Sequence, residues 1–349
     1  MRTDEEFLVS AVGDLMPGAS VLAIGGTARF AEALAGAGPV VSWLPLDVRE
    51  AGDAPRGVTV LAAPGVSADA RFDAVIFPAP LERYLGRRWL VLARNHCAPG
   101  GRVVLAGANA TGIRSTIADG SALFGAPRRE DFRSKHRVAV FVAGGAPGDA
   151  PDWAAEPGIA EGTWGEVALD IDGVPVSLAT LPGVFAGTRL DVGTALLLAN
   201  LAVEPGERVL DVGCGAGAIG LTALRRGAAE VVMTDVNLLA VAAVRETIRR
   251  NGDVHARAVA GDVYDGLDAG DRFGLIVSNP PFHQGKAVDY GMPQRLIGEA
   301  PDHLVADGRL VIVANAFLPY ERLLEERFRV VKELANTRRF KVLLAMRPR

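Results

Sequence analysis

Cysteine is scarce. Cys97 and Cys214 are the only two in 349 residues, too few for a disulfide scaffold or a four-thiolate zinc site. Long apolar runs are also lacking: the longest, near Ala195–Val203, is about half of what spans a bilayer. The opening MRTDEEFLVS is acidic and has no apolar signal core. Nor is there an excess of positive charge. Net charge is −4 and the pI about 5.8, which argues against non-specific coating of nucleic acid but leaves room for a local basic patch. The expectation is a soluble cytoplasmic protein, monomeric, without a membrane span or a metal. The rest is ordinary: 49% apolar and 22% charged residues exclude bulk disorder. The length fits two domains of roughly 150 residues each.

The least patterned stretch, Gly144 to Gly162, is rich in Gly, Pro, Ala and Asp and reads as a linker. We therefore expect a first domain over residues 1–145, a linker over 146–163 and a second domain over 164–349. In the second, strands are expected at Arg208–Val212, Val231–Asp235, Leu275–Ser278 and Arg309–Ala314. Helices are expected at Ala218–Arg226, Leu238–Arg250 and Gln294–Val305. This alternation predicts an α/β fold with a mostly parallel sheet. Two last strand-like runs, Arg329–Leu334 and Phe340–Met346, predict an antiparallel hairpin at the end.

The first half repeats the plan. VLAIGG at Val21 aligns with VLDVGCG at Val209, and on the same offset Asp47 aligns with Asp235. FDAVIFPAP at Phe72 aligns with FGLIVSNPP at Phe273, and GGRVVL at Gly100 with DGRLVI at Asp307. Order is kept while the offset drifts slowly, as duplication with small insertions predicts.

The sharpest local signal runs from Asp211 through Gly213, Gly215 and Gly217 to Gly220. It follows a strand and opens a helix, where glycines permit tight turns and close approach of a ligand. Asp235 ends the next strand, where a carboxylate can accept both ribose hydroxyls of an adenosine. NAD and S-adenosylmethionine both fit such a loop. A pyrophosphate disfavours a carboxylate beside the glycines, whereas Asp211 can hold the cationic amino end of a methionine moiety. That favours S-adenosylmethionine. Asp262, after the third strand, can accept from an adenine amine or be an ordinary surface residue.

Asn279-Pro280-Pro281-Phe282 ends an apolar strand, on the edge where open α/β sheets bind ligands. An NH₂ on a planar π system is a poor nucleophile because its lone pair is delocalised. The Asn279 side-chain oxygen and the Pro280 carbonyl can accept its two hydrogens, which favours a pyramidal nitrogen and aims the lone pair. Pro281 stiffens the loop, and Phe282 can stack on a base. His283 can touch RNA or be a plain loop residue; Lys286 reads as a solvated charge.

These residues look like a class I methyltransferase. PGVFAGTRLDVGTALLL, VLDVGCGAG, SNPPFHQG, RLVIVANAFLPY and RRFKV resemble, in order, the RsmC/RlmG family of ribosomal RNA guanine-N2 methyltransferases, over most of Leu181–Met346. The resemblance implies two tandem Rossmann-like methyltransferase domains with catalysis in the second. It implies S-adenosylmethionine on the glycine loop and Asp235, a guanine amine at Asn279 to Phe282, and ribosomal RNA or a ribosomal subunit as partner. Phe185 and Asp191 to Thr194 match the segment that closes over the cofactor; Ala186 to Arg189 depart from the family's Ser-Arg-Asp-like run. The family lean is to small-subunit 16S RNA, with large-subunit 23S RNA as the alternative. A protein glutamine methyltransferase, a non-catalytic RNA-binding factor and a dehydrogenase are the other classes considered.

On the offsets above, Asp211 corresponds to Ala23, Gly215 to Thr27, Gly217 to Arg29 and Asn279 to Pro78. The first domain is thus expected neither to bind S-adenosylmethionine tightly nor to methylate, leaving RNA docking or structural support. Basic residues cluster from Arg327 to Arg349, where Arg338, Arg339 and Lys341 are candidate RNA contacts, and from Arg128 to Arg137.

Overall fold

A computed structural model describes residues 1–13, 17–52, 55–144, 150–185, 187, 189–281 and 291–349. The chain divides into two compact units: Met1–Gly165 with Leu181–Gly183, and Glu166–Thr180 with Val184–Arg349.

The first unit holds strands β1 (Ser20–Ile24), β2 (Val40–Leu44), β3 (Val58–Val60), β4 (Phe72–Pro78), β5 (Cys97–Ala108), β6 (Arg129–Arg133) and β7 (His136–Val142). Its helices are α1 (Thr3–Ala11), α2 (Ala28–Gly36), α3 (Val48–Ala51), α4 (Arg83–His96) and α5 (Ile113–Phe124). The second opens with the hairpin β8 (Gly165–Ile171) and β9 (Val174–Thr180). Its main sheet is β10 (Arg208–Val212), β11 (Glu230–Asp235), β12 (Ala256–Ala260), β13 (Phe273–Ser278), β14 (Leu304–Asn315), β15 (Phe328–Asn336) and β16 (Phe340–Pro348). The helices are α6 (Val192–Asn200), α7 (Ala218–Arg225), α8 (Leu238–Asn251), α9 (Gly291–His303) and α10 (Tyr320–Arg327).

The two main sheets share one topology. The strand orders are β3-β2-β1-β4-β5-β7-β6 and β12-β11-β10-β13-β14-β16-β15. Five strands run parallel in each, and the last two form an antiparallel hairpin on the β5 or β14 side. Burial follows from this. Central parallel strands are covered on both faces and need apolar residues at every position. Val209, Leu275 and Val311 fill one face of the second sheet, and Leu210, Ile276 and Ile312 the other.

Sheet register corrects one alignment made on sequence. Val21 pairs with Val41, and Val209 with Val231. Gly25 N–H donates to Leu44 O as Gly213 N–H donates to Thr234 O. The counterpart of Asp235 is therefore Pro45, not Asp47. Asp47 instead matches Asn237: each caps the helix that follows, accepting from the N–H two residues on. A fixed sequence offset missed this because the β1–β2 connection is two residues shorter than its twin.

Residues 150–163, read on composition as part of a linker over 146–163, pack on the first unit. Arg88 is buried and donates to Gly158 O at 2.7 Å, His96 meets Glu161 at 2.7 Å, and Ile159 is buried. A few anchors among the Gly, Pro and Ala suffice. The β8–β9 hairpin went unread, although Asp172-Gly173, both with positive φ, is a strong two-residue turn signal.

Close helix–sheet packing makes Gly220 on α7 demanding. A Cβ there would lie 2.5 Å from Met233 Sδ and 3.1 Å from Val231 Cγ1, both side chains being fully buried. Gly220→Ala is expected to destabilise the protein by about 1–3 kcal/mol. Urea unfolding checks this as a lower midpoint at unchanged slope.

Candidate active site

The glycine loop leaves β10 and enters α7. Gly213, Gly215 and Gly217 have φ of 71°, 54° and 88°, the left-handed region that disfavours any residue with a Cβ. Gly213 and Cys214 N–H both donate to Thr234 O, at 2.8 and 3.0 Å, and Gly217 N–H to Cys214 O at 2.8 Å. Asp235 Oδ2 accepts from Gly215 N–H at 2.9 Å, while Oδ1 accepts from Asn237 N–H at 2.8 Å. The carboxylate that ends β11 thus holds the loop's middle and remains partly exposed beside it.

Asp211 departs from expectation. It is fully buried, and Oδ2 accepts from Gly220 N–H at 2.9 Å. It sits behind the loop and braces the start of α7, rather than lining the cleft. Its Oδ1 is buried with no hydrogen-bond partner. Burial, with the nearby negative Asp235 adding to it, pushes the carboxyl up to about 7. Cys214 does line the cleft, but burial raises its thiol well above the usual range, so it is an inert neutral group.

The cleft over the loop is roofed by Val167 and Leu178 of the β8–β9 hairpin and by Phe185, Gly187 and Arg189. Sequence reasoning missed the hairpin residues because it missed the hairpin. Asp191, Thr194 and Asn279 form one wall. Asp191 caps α6, its Oδ2 accepting from Thr194 N–H at 3.0 Å. Asn279 lies just past β13, whose Ser278 Oγ donates to Val212 O at 2.7 Å and ties β13 to β10. The Asn279 amide nitrogen donates to Asp191 Oδ2 at 3.2 Å and to Thr194 Oγ1 at 2.9 Å. Asp191 accepts only, so the NH₂ end must face it. The amide oxygen then points the other way. Pro280 is buried and Pro281 exposed; Phe282, His283 and Lys286 lie outside the described residues.

Register places further candidates on the same edge. Ser278 pairs with Ile312 and Asn315 with Phe340, so the β14 end and the β15–β16 turn sit beside the Asn279 end of β13. Arg338 and Arg339 are exposed on that turn, and Phe317, which had no role on sequence, is 69% exposed after β14. Lys341 is a correction: it is buried, and Nζ meets Glu321 Oε1 at 2.5 Å. A strand position facing inward takes it away from any RNA surface. Asp262 stands two residues past β12 with its carboxylate 3.5 Å from Arg295, and it is not part of the cleft lining.

The first unit has the same loop position with different contents. Glu5 of α1 is buried and accepts from Thr27 N–H at 2.9 Å and Thr27 Oγ1 at 3.0 Å. Glu50 accepts from Ala28 N–H at 2.8 Å. The Trp89 ring lies 3.0 Å from where a Cβ on Gly25 would be. Internal carboxylates and an indole fill the space that is a cleft in the second unit.

The buried Asp211 carboxyl has a consequence for stability. Its folded pKa lies above the unfolded value, so the neutral form is favoured by folding. Stability from this group is highest below about pH 4 and declines as pH rises to about 7. Asp211→Asn keeps an acceptor for Gly220 and never ionises. The variant is expected to match the parent near pH 4 and to exceed it at pH 8 by on the order of a few kcal/mol, read from thermal melts across that range.

Comparison with known proteins agrees with this geometry. The family model "Methyltransferase small domain" matches residues 175–344. Ribosomal RNA small subunit methyltransferase C of Aeromonas hydrophila is 34% identical, over 79% of this chain and 77% of its own. The protein of that name from Pseudomonas paraeruginosa is 38% identical over 72% of each. The relative from Chromohalobacter salexigens is 49% identical, but there the chain spans only about half the relative's length, 52%. Among solved structures, the T. thermophilus 16S rRNA N2 G1207 methyltransferase (RsmC), in complex with AdoMet and guanosine, superposes with a TM-score of 0.81 at 28% identity, covering 99% of this chain and 92% of that one. The chain belongs to the ribosomal RNA small subunit methyltransferase C family.

Proposed function

We propose that this chain transfers a methyl group from S-adenosylmethionine to the exocyclic N2 of a guanine in small-subunit ribosomal RNA. The observation that carries the reading is the oriented amide of Asn279, with its NH₂ held by Asp191 and Thr194 and its oxygen turned outward. That oxygen is the acceptor a planar amine needs. The names of the relatives support RNA as the substrate class, and the solved neighbour was captured with a nucleoside of that kind.

The residues present fit the cofactor. Three left-handed glycines leave a surface that a Cβ would crowd, and Asp235 stands beside it. The loop from Gly213 to Gly217 and Asp235 would hold it, with Phe185 and Arg189 above. When bound, S-adenosylmethionine supplies an electrophilic methyl group, which calls for no strong base. The chain's task is then positioning. Asn279 Oδ1 and the Pro280 carbonyl accept the two amine hydrogens, drawing the nitrogen lone pair out of conjugation. Pro281 restricts the loop that carries them, and in our reading Phe282 stacks on the base.

In this reading the first unit neither methylates nor holds the cofactor. Glu5 occupies the Thr27 N–H and Glu50 the Ala28 N–H at the start of α2, Pro45 replaces the ribose-binding acid, and Pro78 replaces Asn279.

Three outcomes are expected. Calorimetry of the full chain should give one equivalent of S-adenosylmethionine; two would contradict the assignment of the first unit. Asn279→Ala should lower kcat for RNA methylation by about 10²- to 10³-fold while sparing cofactor affinity. Asp191→Asn should keep the α6 cap, since Asn caps as well as Asp. It adds a donor, however, so the Asn279 amide can turn over. We expect kcat to fall about tenfold at unchanged melting temperature, measured with methyl-labelled cofactor.

A further inference from the structure

The β6–β7 hairpin of the first unit has no part in the site described above. It reaches the same sheet edge as the β15–β16 turn does in the second unit: Ala108, the last residue of β5, pairs with His136 at the start of β7. From Arg128 to Arg137 the chain has five cations against two acids, within a protein whose net charge is −4. Some of this charge is neutralised locally, for Arg129 pairs with Asp131 and Arg137 with Glu130. Among the described residues, Arg128, Arg133 and Lys135 have no carboxylate within 4.0 Å, and all three are exposed. Phe132 sits between them, 61% exposed, with the Arg137 guanidinium 5.4 Å from its ring centre. A hollow beside it is lined by Phe7, Ser10, Arg129, Phe132, Arg133 and His136.

The turn itself is strained. Ser134 and Lys135 have φ of 49° and 63°, a two-residue turn that ordinarily takes Asn-Gly. Arg133 and Lys135, at and beside this turn, are both exposed. An exposed aromatic ring on a hairpin that also carries three cations free of carboxylates suits a strand whose bases are splayed and whose phosphates run alongside. A solvated face needs no bare phenylalanine, and a protein partner would be met by a less charged patch. The first unit lacks the glycine cradle and the amide, yet its hairpin carries this charge and ring.

We propose that the β6–β7 hairpin docks single-stranded RNA, with a base stacked on Phe132 and phosphates held by Arg128, Arg133 and Lys135. The inference rests on the RNA substrate class proposed above and adds a second contact region, in the non-catalytic unit.

The test uses the full chain and a fluorescein-labelled single-stranded RNA of about twelve nucleotides, followed by anisotropy over a salt series. Phe132→Ala should weaken binding about tenfold. The Arg133→Ala, Lys135→Ala double variant should flatten the log K against log salt slope by about 1.4, two phosphates' worth on a single strand. Melting temperature and cofactor affinity should not change. Parent-like affinity and slope in both variants, failure of the parent to bind, or equal competition by a duplex of the same sequence would overturn the proposal. Methylation of small-subunit RNA by the same preparations is read separately. Hairpin-dependent binding without methylation sinks the activity and leaves the docking surface; methylation with unaltered KM in both variants sinks the docking surface alone.

Discussion

In the function proposed here, the chemistry depends on which way one amide faces. The two ends of an asparagine side chain are nearly the same shape and opposite in hydrogen-bonding sense. Only the oxygen can receive hydrogens from a substrate amine. The chain settles the matter with a group that accepts and never donates: Asp191, itself fixed as the cap of α6, takes the Asn279 NH₂, and Thr194 one turn later takes its other hydrogen. Gly193 leaves room for this, since a Cβ there would stand 3.0 Å from Asp191 Oδ2. A helix terminus and a strand terminus are thereby locked to each other at the cleft wall. The Ser278 hydroxyl adds a tie between β13 and β10 beneath it.

The two units show how little of such a site belongs to the fold. Strand order, the antiparallel hairpin and the carbonyl that receives the loop's first N–H are common to both. In the second unit that frame carries glycines, an acid and an amide. In the first it carries Thr27, Pro45 and Pro78, with Glu5 and Trp89 packed into the space. A carboxylate on the N–H groups of a helix start is a favourable internal arrangement. The first unit is thus stabilised by the same helix terminus at which the second presents its cleft.

Much of this was legible in the sequence. Strand and helix alternation, the final hairpin and the edge that carries Asn279 follow from apolar runs broken by glycine and proline. The observed β10, α7, β11, α8 and β13 start or stop within two residues of their expected bounds. Three things were not legible, each for a physical reason. Asp211 carries the charge suited to a ligand, but burial behind its own loop is a tertiary fact. Lys341 counts as a cation in any tally of basic residues, although strand pairing turns it inward onto Glu321. The clamp on Asn279 joins residues 88 apart, and no local pattern connects them. The β8–β9 hairpin was legible from Asp172-Gly173 and its alternating residues.

The most direct measurement is a crystal structure of the protein with S-adenosylhomocysteine and guanosine bound. The account predicts the guanine amine within hydrogen-bond distance of Asn279 Oδ1, with Nδ2 still on Asp191 and Thr194. Guanosine seated away from Asn279, or an Asn279 amide released from Asp191, would contradict it.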